Sequence, residues 1–166
     1  MIVRYPVSPN PPSIYLDWAV SNGLSGSDLQ PAAILRPDGL TNLEKFAFGL
    51  DPNLSMFNSL EFIMQGEVTT PGVPTLLNLA SPGTPDDMRA IFIRRKDYAA
   101  GLTYTVHFSA DLKQWTPSDV LPTVLTDEPS ISIHEVVSIP FPDSVPVHDA
   151  GPPRPARFMR VSVVMD

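Results

Sequence analysis

Gly101-Leu-Thr-Tyr-Thr-Val-His-Phe-Ser-Ala-Asp-Leu-Lys-Gln-Trp115 is the stretch on which the fold turns. Leu102, Tyr104, Val106 and Phe108 alternate with Thr103, Thr105, His107 and Ser109. Successive side chains of a strand point to opposite faces, so strict alternation predicts a strand with one face buried. Ser109-Ala110-Asp111 then predicts a turn, because short polar side chains hydrogen-bond their own backbone there. Trp115 is expected to return over the core, with Leu112 beside it. Nothing in this stretch performs chemistry.

Six further segments share the strand texture: Leu60 to Val68, Pro74 to Ala80, Arg89 to Arg95, Val120 to Leu125, Ser130 to Ile139 and Arg157 to Met165. Thr70-Pro71-Gly72, Ser81-Pro82-Gly83 and Thr126-Asp127-Glu128-Pro129 punctuate them. The chain carries 20 prolines in 166 residues, more than double the usual frequency of about 5%. Proline has no amide donor and is shut out of helix interiors and central strands, so this many predicts short strands joined by stiff loops. Pro140 to Pro155 is expected to be a stiff crossover delivering a last strand whose apolar face is Met159, Val161, Val163 and Met165.

Upstream the pattern is helical. Ser13 is expected to cap a helix from Ile14 to Asn22, ended by Gly23, with Ile14, Trp18, Tyr15 and Ala19 as its apolar stripe. Thr41 and Glu44 form a capping box for a second helix that runs to about Phe48 and stops at Gly49. Leu43, Phe46, Ala47 and Leu50 are expected to face the rest of the protein. The predicted fold is mostly β: an antiparallel β-sandwich, immunoglobulin- or fibronectin III-like, preceded by two short helices. The predicted organisation is an extended N-terminal arm over residues 1–12, a helical segment over 13–58 and the sandwich over 59–166.

The bulk numbers bound the function. A net charge of −7, from 18 acids against 11 bases, disfavours a nucleic-acid surface, which needs a basic stripe. There are no cysteines, so disulfides and thiolate metal sites are excluded. No apolar run approaches the ~20 residues of a membrane span. Met1-Ile-Val-Arg-Tyr-Pro6 has no apolar signal-peptide core, so either the protein stays inside or the chain is a mature fragment.

Pro37 to Pro52 resembles the segment Asp-x-Asp-x-Asp-Gly-Leu-Thr-Asn-Leu-x-Glu-Tyr-Ala-x-Gly-x-Asp-Pro of large exported bacterial proteins, itself similar to thrombospondin type 3 and dockerin calcium loops. In those proteins a β-module often follows. It carries Arg-Arg, then Gly-Leu-Thr-Tyr-Thr-Val-x-x-Ser-x-Asp-Leu-x-x-Trp, and a closing strand like Arg-Phe-x-Arg-Leu. Arg94-Arg95, Gly101 to Trp115 and Arg157-Phe158-Met159-Arg160-Val161 match that pattern. The resemblance covers most of residues 14–166 and implies an exported or cell-surface accessory module without catalytic activity. The calcium loop departs from its pattern. Oxygen ligands belong at positions 1, 3, 5, 9 and 12, with glycine at 6. With Gly39 at position 6, positions 1, 3 and 12 are Ile34, Arg36 and Lys45, so no calcium is expected.

No catalytic, cofactor-binding or metal-binding residues are assigned. His107, His134 and His148 lie far apart and are expected at the surface. Asp86-Asp87 and Asp127-Glu128 are adjacent acids, not a pair across a cleft. Arg94-Arg95-Lys96 is a possible anion site, but such cations more often pair with nearby carboxylates. Of Trp18, Trp115, Tyr98 and Tyr104, which could form a sugar platform, Trp115 and Tyr104 are expected in the core and Tyr98 exposed. The functional expectation is a non-catalytic structural or protein-interaction module, a subunit of a cell-surface or extracellular assembly, partnered by other protein subunits. The alternative is a carbohydrate-binding module; an enzyme ranks third.

Overall fold

A computed structural model describes residues 11–55, 61–62, 68–70, 72–96, 100–126, 133–149 and 151–165. The chain is mostly strand, arranged in antiparallel sheets, with two short helices ahead of them. Helix α1 is Ser13–Ser21 and α2 is Asn42–Ala47, with a 3-10 turn Gly26–Leu29 between them. The strands are β1 Glu61–Phe62, β2 Val68–Thr70, β3 Thr75–Asn78, β4 Met88–Arg95, β5 Leu102–Ser109, β6 Thr116–Pro117, β7 Thr123–Thr126, β8 His134–Pro140 and β9 Phe158–Met165. They pair as a four-stranded sheet in the order β3-β4-β8-β7, a three-stranded sheet β6-β5-β9 and a ribbon β1-β2. Where the sequence reading expected one strand from Leu60 to Val68, Glu61–Phe62 and Val68–Thr70 pair antiparallel with each other.

One core cluster draws on every layer. Tyr15, Phe46 and Phe48 come from the helical segment, Phe92, Val137 and Ile139 from the four-stranded sheet, and Val106, Phe108, Val161 and Val163 from the three-stranded sheet. Register explains the sharing. Phe92 sits opposite Val137 and Ala90 opposite Ile139, while Val106 sits opposite Val161 and Tyr104 opposite Val163, so each pair points inward together. The other face of β4 and β8 is buried as well: Ile91, Ile93 and Val136 form a second, smaller cluster with Leu79 and Leu125 against it. A strand buried on both faces reads as a continuous apolar run, as Ala90-Ile-Phe-Ile93 does.

Both helices end in a Schellman arrangement. Leu24 N donates to Ala19 O and Gly23 N to Val20 O; Leu50 N donates to Lys45 O and Gly49 N to Phe46 O. The start of α1 differs from expectation. Pro12 holds the N-cap position and no side chain caps the first turn, because Ser13 is already helical. The buried centre of its stripe is Tyr15 and Ala19, with Ile14 and Trp18 at the flanks. The capping box of α2 is present in full, and every residue of that helix is buried.

The proline-rich crossover from β8 to β9 is fastened at three points. Val145 and Arg154 exchange backbone hydrogen bonds of 2.8 and 3.0 Å, Arg157 N donates to Ser109 O at 2.9 Å, and Phe141 meets Phe108 edge-on at 4.7 Å. Val145 and Val147 bury their side chains beneath it.

Candidate functional site

The loop leading into α2, which a sequence motif singled out, is densely hydrogen-bonded. Thr41 adopts an extended backbone, and its hydroxyl accepts from Glu44 N at 3.2 Å. Glu44 Oε2 accepts from Thr41 N at 2.6 Å. Asp38 Oδ1 accepts from Leu40 N at 3.0 Å, which folds the loop around Gly39, whose φ is +72°. The second carboxylate oxygen, Asp38 Oδ2, lies 2.9 Å from Lys45 Nζ, and the same ammonium donates to Leu54 O at 2.6 Å. Both side chains of this ion pair are sealed from solvent, at 1% and 0% exposure.

These residues do not fit a calcium ion. Calcium takes six to eight oxygens at about 2.3–2.6 Å. Ile34 is half exposed and carries no oxygen, and Arg36 turns its guanidinium to Asn53 Oδ1 at 3.5 Å. Glu44 is engaged in the capping box, and a lysine ammonium stands against Asp38. Among the described residues no group of three or more His, Cys, Asp or Glu is placed to hold a metal.

The two sequence motifs meet at the far end of α2. Tyr104 OH donates to Ala47 O at 2.8 Å and accepts from Arg95 N at 3.1 Å. Burial pushes the Tyr104 phenol well above its ordinary pKa, outweighing the Arg95 and Arg94 contributions that lower it. The Arg95 guanidinium lies 4.1 Å from the centre of the Phe46 ring, a cation–π contact. His134 packs on Gly49, so closely that a Cβ there would sit 3.2 Å from the imidazole. Burial, with Arg95 and Lys96 nearby, brings its pKa down from 6.5 to about 4, against an opposing hydrogen bond with the Phe46 backbone.

The remaining candidate residues are dispersed. His107 is buried at 8% exposure, opposite Arg160 in register; burial first, then the Arg160 charge, lowers its pKa. Both His107 and His134 depart from the surface placement expected of them, His107 being buried and His134 half-buried against Gly49; His148 is exposed as expected. Trp115 is corrected too. It lies outside the core, with the Arg160 guanidinium 4.4 Å from its ring centre and its Nε1 donating to Leu112 O at 3.1 Å. The turn itself puts it there. Ser109 Oγ accepts from Asp111 N and Leu112 N, Asp111 Oδ1 accepts from Lys113 N and Gln114 N, and Leu112 takes φ +63°, folding the chain over the outer face of β5. Asp111 Oδ2 also accepts from His148 N at 2.9 Å. Those amides, His148 foremost, hold the Asp111 carboxyl far below the ordinary carboxylate range.

Asp86 accepts from Asn78 Nδ2 at 2.8 Å, and Asp87 grips Arg89 Nε at 2.9 and 3.0 Å. Arg94 pairs with Glu135 at 2.5 Å. Trp18 stacks in an aromatic cluster, 5.6 Å from Tyr15 and 5.2 Å from Phe46. Tyr98, Asp127 and Glu128 lie outside the described residues. Clefts lined by described residues open on the surface. One of about 450 Å³ is floored by Leu76, Met88, Phe141 and Ala156 and rimmed by Asp86, Asp143 and Arg157. Another, of about 300 Å³, lies between Arg94, Lys96, Tyr104, Leu121 and Glu135. Neither has Ser, Cys or His among its described lining residues.

The Asp38–Lys45 pair, the Arg160–Trp115 stack and the Asp111–His148 tether were not readable beforehand. Each joins residues whose meeting depends on chain reversal, and no spacing rule announces it. Compared with family models, curated protein sequences and solved structures, the chain matches none.

Proposed function

We propose that this chain is a non-catalytic module that presents a surface to other protein subunits, its two sheets paired as an immunoglobulin- or fibronectin III-like sandwich. The observation that carries the reading is where apolar side chains are displayed. Leu76 and Leu77 on β3, and Val120, Leu121 and Val124 around β7, are exposed, Leu121 at 85%. β3 and β7 are the outer strands of the four-stranded sheet among the described residues. An outer strand with exposed apolar side chains is a template for pairing with another chain unless it is covered. The polar inventory supports the same reading: Glu44 goes into a helix cap, Asp111 into a turn, and Asp87 and Glu135 into ion pairs with Arg89 and Arg94. The resemblance noted above is the ground for extending the proposal to the extracellular space or cell envelope and to a subunit of a larger assembly.

The test is association. Leu77→Glu and Leu121→Glu should leave the melting temperature nearly unchanged and abolish concentration-dependent sedimentation, and deleting residues 1–12 should weaken it. Sedimentation identical in parent and variants overturns the reading. So does hydrolysis of a glycan or peptide by the purified chain that one substitution abolishes. A carbohydrate-binding reading has one observation in its favour: partly exposed Phe158 and Trp115 share the outer side of the three-stranded sheet with Arg160. Retention on immobilised polysaccharide, lost in Phe158→Ala, selects that reading instead.

A further inference from the structure

The face of the four-stranded sheet that carries the core continues past the core's edge. Leu76 sits opposite Ala90, and Ala90 opposite Ile139, and the last two belong to the main core cluster. Residues opposite each other, or two apart on one strand, share a face, so Leu76 and Met88 lie on the core face too. Leu76 is nonetheless 39% exposed. It borders the cleft of about 450 Å³, whose floor it forms with Met88, Phe141 and Ala156. Clefts that hold small ligands run from about 300 to 1,000 Å³. The walls are fixed. Phe141 N donates to Met88 O at 2.8 Å, its ring meets Phe108 edge-on, and Arg157 N donates to Ser109 O at 2.9 Å. Pro140, Pro142 and Pro155 stand in the same walls, each with its φ locked by the ring.

The charges around this floor are unevenly committed. Asp87 is ion-paired with Arg89, and Asp86 accepts from Asn78 Nδ2 at 2.8 Å. Among the described residues the side chains of Asp143 and Arg157 join no ion pair and no hydrogen bond, and they do not pair with each other. We infer that the cleft binds a short apolar peptide with free ends, its carboxylate on Arg157, its ammonium on Asp143 and its side chains on the floor. A guanidinium takes a carboxylate through two parallel hydrogen bonds. Asp86, on the same rim, adds a second negative charge for the ammonium. A free amino acid holds its two charges side by side, whereas Asp143 and Arg157 stand too far apart to pair. A ligand that meets both must separate its charges by a length of chain, and an extended dipeptide or tripeptide spans about 7–10 Å. A cleft whose walls are already fixed has little ordering left to lose on binding. The inference goes beyond the interaction reading and fails separately from it, because Leu77 and Leu121, whose variants test that reading, do not line this cleft.

Isothermal titration calorimetry of the full-length protein with the dipeptide leucyl-phenylalanine tests it. The dipeptide should bind saturably with a Kd of about 1 mM or tighter. Asp143→Asn and Arg157→Gln should each weaken it about tenfold or more, the loss of one charge-assisted bond, at an unchanged melting temperature. Capping the ligand should reproduce the variants. N-acetylated dipeptide should bind weakly and be indifferent to Asp143→Asn, and dipeptide amide should be indifferent to Arg157→Gln. Glycylglycine, which has both charges and no apolar side chains, should not bind detectably, and Ala156→Trp should block the cleft. No saturable binding of leucyl-phenylalanine by the parent protein overturns the inference. Binding unchanged in both charge variants overturns it, as does glycylglycine binding as tightly as leucyl-phenylalanine. An N-acetylated dipeptide that binds as well as the free one also overturns it, because the site would then hold the C-terminus of a longer chain. If Ala156→Trp does not fold, the capped ligands on the parent protein still decide.

Discussion

At the scale of single residues, burial outruns what alternation shows. The pattern from Leu102 to Ser109 assigned inner and outer faces correctly, since Val106 and Phe108 are in the core. It could not show that His107 and Ser109, on the other face, would be buried as well. Trp115→Ala should cost about 1–2 kcal/mol, well short of the 3–5 of a fully buried aromatic, which Phe92→Ala should reach. Urea unfolding of the two variants checks this; equal losses would return Trp115 to the core. His134 makes acid a destabilising agent. Its folded pKa is about 4, against 6.5 for a free imidazole, so between those values the unfolded chain takes up a proton that the folded chain refuses. The His134 contribution to stability should be flat above about pH 6.5, fall on acidification, and level off below about pH 4, the whole step worth up to about 3 kcal/mol. His107 adds to it in the same direction, as its pKa is lowered too. His134→Gln should flatten most of the slope; an unchanged urea-midpoint profile would show that the imidazole is not responsible.

At the scale of elements, signals carried within a few residues were legible and those spanning the chain were not. The capping box at Thr41 and Glu44, the stops at Gly23 and Gly49, and the limits of β5 were read from local chemistry. The N-cap of α1 was misassigned because Pro12 and Ser13 both suit a helix start, and nothing local says which one is already helical. The two-residue β6 and the pairing of β1 with β2 escaped because so few residues carry no period. Gly49 separates two reasons for a glycine. It and Gly39 both have positive φ, +70° and +72°, so a Cβ strains the backbone similarly at each. Only at Gly49 does the added atom meet the His134 ring, at 3.2 Å, whereas at Gly39 nothing lies within 4 Å. Gly39→Ala should cost about 1 kcal/mol, the penalty for an L-residue in that conformation. Gly49→Ala should cost about 1–3 kcal/mol more through overpacking. Equal losses by urea unfolding would mean that the imidazole moves aside freely.

At the scale of the whole molecule, the helical segment and the sheets share one core. Tyr15 and Phe46 belong to the same cluster as Phe92 and Val161, and Tyr104 carries a hydrogen bond from β5 into the end of α2. A chain with a common core should melt in a single transition, since neither part can lose its packing without exposing the other's. Far-ultraviolet dichroism and a tertiary probe should give coincident curves; a separate early transition of the helices would refute the shared core. Such a probe is already built in. The chain has two tryptophans. Trp18 lies among Tyr15 and Phe46, and Trp115 lies under a guanidinium on the outside of the β5–β9 sheet. Their emission therefore reports two separate neighbourhoods of one molecule, one apolar and close to two other rings, the other beside a fixed positive charge and open to quenchers. Replacing either indole by phenylalanine turns the intrinsic fluorescence into a single-site gauge, read without attaching a dye.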